Sequence, residues 1–146
     1  MGEILGDAMA YTKLFYHVIW STKHREPTIL PIIENKLHSY IAKKAIHLGG
    51  IVYAINGIDD HVHLAVSIPP SIAISKFIGQ IKAVASVRIN QSGLSDQKFY
   101  WQTSYSIFTF RESELSVVVQ YIKKQKQHHS DGTTRNKFEI LAKEKP

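Results

Sequence analysis

An α+β fold, in which helices back one face of an antiparallel sheet, is what this chain predicts, and three observations predict it. Segments rich in aromatic and β-branched residues alternate with segments of helical apolar spacing, in the order β-α-β-β-α-β. The pairs Gly49-Gly50, Asp59-Asp60 and Pro69-Pro70 punctuate them. One further helical segment follows the last strand.

Residues 11–22 (YTKLFYHVIWST) read as the first strand, because such side chains fit a pleated, half-buried surface. In residues 29–48, Ile32, Ile33, Leu37, Tyr40, Ile41, Ala45 and Leu48 trace a helical stripe that only Lys44 interrupts, and Gly49-Gly50 stops it. Residues 51–58 and 61–68 form two short strands around Asp59-Asp60. Residues 71–91 return to helical spacing through Ile74, Phe77, Ile78, Ile81, Val84, Ala85 and Ile89. Residues 101–110 supply the last strand, and Ser113 stands as the N-cap of a third helix over residues 115–129. The arrangement is the split ferredoxin-like one, shared with RNA-recognition domains, and it leaves one sheet face for a ligand.

Composition narrows the class. With 146 residues and 44% hydrophobic content, the chain suits one domain over residues 1–146, with an N-terminal extension at 1–10 and a polar tail at 130–146. The tail is expected to form a short helix near residues 138–142. No run approaches the roughly 18 apolar residues of a membrane span, and residues 1–10 carry Glu3 and Asp7 instead of a basic leader, so a cytoplasmic protein is expected. The absence of cysteine removes disulfide frameworks, thiol nucleophiles and thiolate zinc sites. A formal charge of +6 favours a polyanionic partner.

Two constellations carry chemistry. In His61-Val62-His63, alternate strand residues share a face, so two imidazoles can share one metal ion; a pair of exposed surface histidines is the plainer reading. Asp60 can orient an imidazole or simply make the turn. On the third helix, Tyr121 and Gln125 lie one turn apart on one face. A phenol with a pKa near 10 needs a cation or a base to become a nucleophile, and without one Tyr121 merely packs with Val117 and Val118.

Together, His61-Val62-His63-Leu64 and Tyr121-Ile122-x-x-Gln125-x-x-His128-His129 resemble the single-tyrosine HUH transposases of bacterial insertion sequences, including those associated with repeated extragenic palindromes. The resemblance extends to His17-Val18-Ile19-Trp20-Ser21-Thr22, to residues 76–82, and to Trp101-Gln102-x-x-Tyr105 before Phe108-Thr109-Phe110. It implies that His61, His63 and Gln125 bind Mg²⁺ or Mn²⁺, and that Tyr121 attacks a phosphodiester to give a 5′-phosphotyrosine and a free 3′-hydroxyl. A second DNA end then reverses the step. It also implies single-stranded DNA with hairpin ends as substrate, a homodimer, no nucleotide cofactor, and a tyrosine acting within its own subunit or across to the other.

Lys76, Lys82, Arg88 and Lys124 are the phosphate contacts expected first, and Trp20 and Trp101 can serve as stacking platforms, although for each of these residues alone a solvated-surface or core position is the plainer reading. His128 reads as a helix-end residue facing the dipole. The rival readings are a catalytically silent or domesticated single-stranded nucleic-acid binder of the same fold, and an HUH nuclease for replication or mobilisation. The silent binder leaves the histidine, tyrosine and glutamine set unexplained.

Overall fold

The computed structural model describes residues 10–143. β1 (Phe15–Ser21), α1 (Pro31–His47), β2 (Ile51–Ile58), β3 (His61–Ser67), α2 (Ile74–Ser92), β4 (Ser106–Phe110), α3 (Leu115–Lys123) and α4 (Gln125–Asp131) follow one another. The four strands form one antiparallel sheet in the order β2-β3-β1-β4, the ferredoxin-like order the sequence predicts.

Strand parity sorts the side chains. Val18 and Trp20 of β1 and Val62, Leu64 and Val66 of β3 face a core closed by Ile33, Leu37 and Ile41 of α1 and Phe77, Ile78 and Ile81 of α2. Burying each such aliphatic side chain contributes about 1.5–3 kcal/mol. The buried α1 stripe is Ile33, Leu37, Ile41 and Ala45, and Ile32 falls outside it, exposed. On the opposite face Val118 and Ile122 of α3 close a smaller cluster over Ala54 and Ala65. Asn56 of β2 fixes the end of α3 by donating from Nδ2 to the Lys123 carbonyl at 3.0 Å.

Several boundaries depart from the sequence reading. The last strand starts at Ser106, because backbone groups of residues 102–104 bond to side chains: Lys82 Nζ donates to the carbonyls of Gln102 and Ser104 at 2.7 and 2.8 Å. Gln102 Oε1 in turn accepts from the Ser21 amide at 2.9 Å. Ser113 is not an N-cap: it lies inside a 3₁₀ turn, Glu112–Glu114, at whose start the Arg111 amide donates to Glu114 Oε1 at 3.3 Å. The third helix is broken at Lys124 (φ −100, ψ 20) into α3 and α4. The tail holds a 3₁₀ turn at Asn136–Phe138 and no helix at residues 138–142.

Gly57 lies opposite Val62 in the β2–β3 hairpin, and a Cβ there would sit 2.1 Å from the His61 carbonyl oxygen. Gly57→Ala should therefore destabilise the fold by roughly 1–3 kcal/mol, as overpacking does. Urea denaturation should show a lower midpoint at constant slope; an unchanged midpoint would mean that the hairpin accommodates the methyl freely.

Candidate active site

Val62, Leu64 and Val66 of β3 face the main core, so His61 and His63 share the other side of the sheet with Ala65, beneath α3. Each ring is held through Nδ1. His61 Nδ1–H donates to Asp60 Oδ1 at 2.6 Å, and Arg25 Nη2 donates to the other oxygen of that carboxylate at 3.2 Å. Asp60 thus makes the turn and orients the imidazole as well. His63 Nδ1 shares one hydrogen with His17 Nε2 of β1 at 2.8 Å.

Tyr121 and Gln125 approach the same space from above, and both are buried, at 3% and 0% exposure. The Tyr121 ring stands edge-on to His63 with centroids 6.1 Å apart, and it stacks on His128 at 4.5 Å. The four residues singled out in the sequence therefore meet within one chain. His128 packs against the phenol instead of standing free at a helix end.

At their meeting point stands Glu139. Its Oε1 lies 3.3 Å from His61 Nε2, 3.2 Å from His63 Nε2 and 3.4 Å from His129 Nε2. Its Oε2 accepts hydrogen bonds from Tyr121 Oη and, at 3.0 Å, from Gln125 Nε2. His61, His63 and Glu139 each offer a ligand atom within 4.8 Å of the others, a spacing that suits one metal ion. His61 Nε2 is close enough to Glu139 for charge attraction but has no hydrogen-bond partner while buried. The pair is a charge contact and not a hydrogen bond, because its direction is unfavourable. A buried ring nitrogen without a hydrogen-bond partner, whose sister nitrogen is tied to a carboxylate, is the arrangement of a metal-ligating histidine. The histidine pair therefore fits a divalent cation. Gln125 fits less directly, because its Oε1 is turned to His129 Nε2 at 3.1 Å.

The charges are strongly coupled. Burial disfavours a charged His61, but its hydrogen bond to Asp60 and its charge contact with Glu139 outweigh that and raise its pKa to about 9. Burial, reinforced by His63, lowers that of His17 to about 3, so His17 is neutral. Burial and the Glu139 contact push Tyr121 up to about 12. Burial opposes ionisation of Glu139, yet the two histidines hold its carboxyl far below the usual carboxylate range.

The expected DNA contacts are scattered. Lys124 is exposed and shares with Tyr121, His128 and Arg135 a cleft of about 360 Å³. Lys76 and Arg88 are exposed on α2, across the sheet, where Arg88 lies over the Tyr40 ring at 5.7 Å. Lys82 is buried, and its ammonium is engaged by the two carbonyls of the 102–104 segment. Trp20 is fully buried in the core and cannot stack on a base, which corrects that expectation. Trp101 packs edge-on against Trp20 and Phe99 and donates Nε1–H to the Lys82 carbonyl at 3.0 Å.

Sequence reasoning missed Glu139 and gave His17 no role. Nothing marks Glu139 in a polar tail, whereas His17 carried a faint signal, a histidine two residues from Ile19 on the strand face opposite Val18 and Trp20.

Fold and site together define a ferredoxin-like protein with a histidine-pair and tyrosine centre. Residues 10–125 match the family described as Transposase IS200 like, and the chain belongs to that family. It is 28% identical over 118 residues to the ISDra2 transposase TnpA of Deinococcus radiodurans, covering 77% of this chain and 84% of that one. It is 23% identical over 138 residues to the transposase for insertion sequence element IS200 of Salmonella typhimurium, covering 88% and 90%. Among solved structures, a Deinococcus radiodurans transposase superposes with a TM-score of 0.65 at 24% identity, over 83% of this chain and 98% of that one. A REP-associated tyrosine transposase bound to a REP hairpin superposes with a TM-score of 0.61 at 16% identity, over 89% and 76%. Among the described residues no helix is long and apolar enough to cross a membrane.

Asp60 favours the charged form of His61, so its stabilisation is fully present below pH 6.5 and is lost as pH rises through about 9. Thermal melts in a chelator should show Asp60→Asn less stable than the parent below pH 6.5, by roughly 1 kcal/mol, with the gap narrowing above about 9. A gap independent of pH would refute this coupling.

Proposed function

We propose that this transposase cleaves and rejoins single-stranded DNA at hairpin-marked ends through a 5′-phosphotyrosine on Tyr121. The observation that carries the reading is the convergence of the Tyr121 hydroxyl and the two imidazoles on one anionic oxygen pair. A phosphodiester offers the same kind of oxygens to those groups.

His61 and His63 would hold a divalent cation, Mg²⁺ or Mn²⁺, and Gln125 would join them once its amide oxygen, now turned to His129, faced inward. Bound there, such a cation would supply positive charge that offsets the negative charge developing on the phosphate during attack. Asp60 and His17 keep the two rings aimed: with His63 Nε2 engaged, Nδ1 donates to the neutral His17. The Tyr121 oxygen attacks phosphorus in line, a Tyr–O–P bond forms, the P–O3′ bond breaks, and a 3′-hydroxyl leaves after taking up a proton. A second 3′-hydroxyl attacks the phosphotyrosine, restores a phosphodiester and returns the proton to the phenol. One phosphodiester replaces another, so neither ATP nor water is consumed.

Lys124, beside the cleft, and Lys76 and Arg88 on α2 contact DNA phosphates. Lys82 acts on DNA indirectly, by holding the 102–104 segment in place. The working unit is a homodimer in which Tyr121 serves the histidines of its own subunit.

The test uses labelled single-stranded oligonucleotides covering both flanks of the gene, with Mn²⁺. The parent should leave a covalent protein–DNA band that EDTA abolishes, and Tyr121→Phe should bind DNA but lose the band by at least about 10³-fold. A band that survives in Tyr121→Phe or in EDTA would refute the assignment.

A further inference from the structure

We propose that residues 135–142 form an autoinhibitory strap, in which the Glu139 carboxylate occupies the place of the scissile phosphate and the site opens only when this segment leaves. The proposal rests on the DNA-cleaving reading above. Carboxylate and phosphate present the same chemistry to a set of donors, namely anionic oxygens that accept hydrogen bonds. Here one carboxylate takes up the groups that the reaction needs. Oε2 accepts from Tyr121 Oη and Gln125 Nε2, while Oε1 lies against Nε2 of both His61 and His63.

The strap engages the nucleophile from two sides. Besides the hydroxyl hydrogen held by Glu139, the Arg135 amide donates to the Tyr121 oxygen at 3.1 Å. A phosphorus atom must approach that oxygen, so a segment that occupies both its hydrogen and a lone pair excludes the substrate. A resident metal ligand would have no reason to bind the attacking group, and this feature favours a plug over a ligand.

The segment is also built to close and open. Gly132 (φ 70) turns the chain back at the end of α4. Phe138 then lays its ring against Tyr121 and His17, with centroids at 4.9 and 5.6 Å, and Gln102 Nε2 donates to the Ala142 carbonyl at 3.0 Å. Among the described residues the strap contains one 3₁₀ turn and pairs with no strand, so its release leaves the sheet and the main core intact and removes only Phe138 from the rim of the smaller cluster.

The experiment measures Mn²⁺ affinity by electron paramagnetic resonance, and adduct formation on the same flanking oligonucleotides, for the parent, Glu139→Ala and Phe138→Ala. A strap closed about nine-tenths of the time lowers apparent affinity about ten-fold. Both variants should therefore form adduct about ten-fold faster at limiting DNA, and Glu139→Ala should bind Mn²⁺ at least as tightly as the parent. Weaker Mn²⁺ binding with slower adduct formation in Glu139→Ala would overturn the proposal and make Glu139 a metal ligand. Phe138→Ala keeps the carboxylate while loosening its seat, so a failure to accelerate in that folded variant would overturn it too. If no variant forms adduct yet Mn²⁺ binds more tightly to Glu139→Ala, the strap stands and the DNA-cleaving reading fails.

Discussion

The two-residue repeat of β3 is the constraint on which the site depends. Val62, Leu64 and Val66 are fully buried in the main core, and their burial fixes which way the strand faces. A slip of one residue would drive both imidazoles into that core, where unpaired polar groups are costly, and would expose three apolar side chains. The hydrophobic core thus aims His61 and His63 at the other side of the sheet without touching them. β1 repeats the logic: Val18 and Trp20 are held in the core, and His17 is thereby delivered to His63.

The second half of the site is held by less. α3 sits on the sheet through Val118 and Ile122, and it can lie close because the residues beneath are Ala54 and Ala65. Asn56 adds a single hydrogen bond at the helix end. Lys82 links the two faces, since its ammonium organises residues 102–104 and Gln102 in turn bonds both Ser21 and the tail. A chain of hydrogen bonds therefore runs from α2 through the 102 segment to the residues that cover Tyr121.

What the sequence revealed follows from this division. Strand parity and helix spacing are local periodicities, so the sheet order, the aim of the histidine pair and the shared face of Tyr121 and Gln125 could be read from residue spacing alone. Residues 101–105 are strand-like only at their start, where Trp101 bridges to Thr22 and the Gln102 amide donates to the Ser21 carbonyl; beyond that the carbonyls of Gln102 and Ser104 are taken by the Lys82 ammonium and the ladder is interrupted until Ser106. Trp20 offered two readings, a stacking platform in a basic protein or a core residue, and its parity with Val18 decides for the core. Glu139 was illegible for a different reason. It reaches the site through a turn at Gly132 and a segment without periodicity, and the sequence separation of 78 between His61 and Glu139 is bridged only by tertiary structure. The family match ends at residue 125, before the strap begins.

The most direct test of the account is an anomalous diffraction experiment on crystals grown in saturating Mn²⁺. The account predicts one strong manganese peak per chain, coordinated by Nε2 of His61 and of His63, with the Tyr121 hydroxyl of that same chain facing it. A peak away from the histidine pair, or one faced by the tyrosine of another copy, would contradict it.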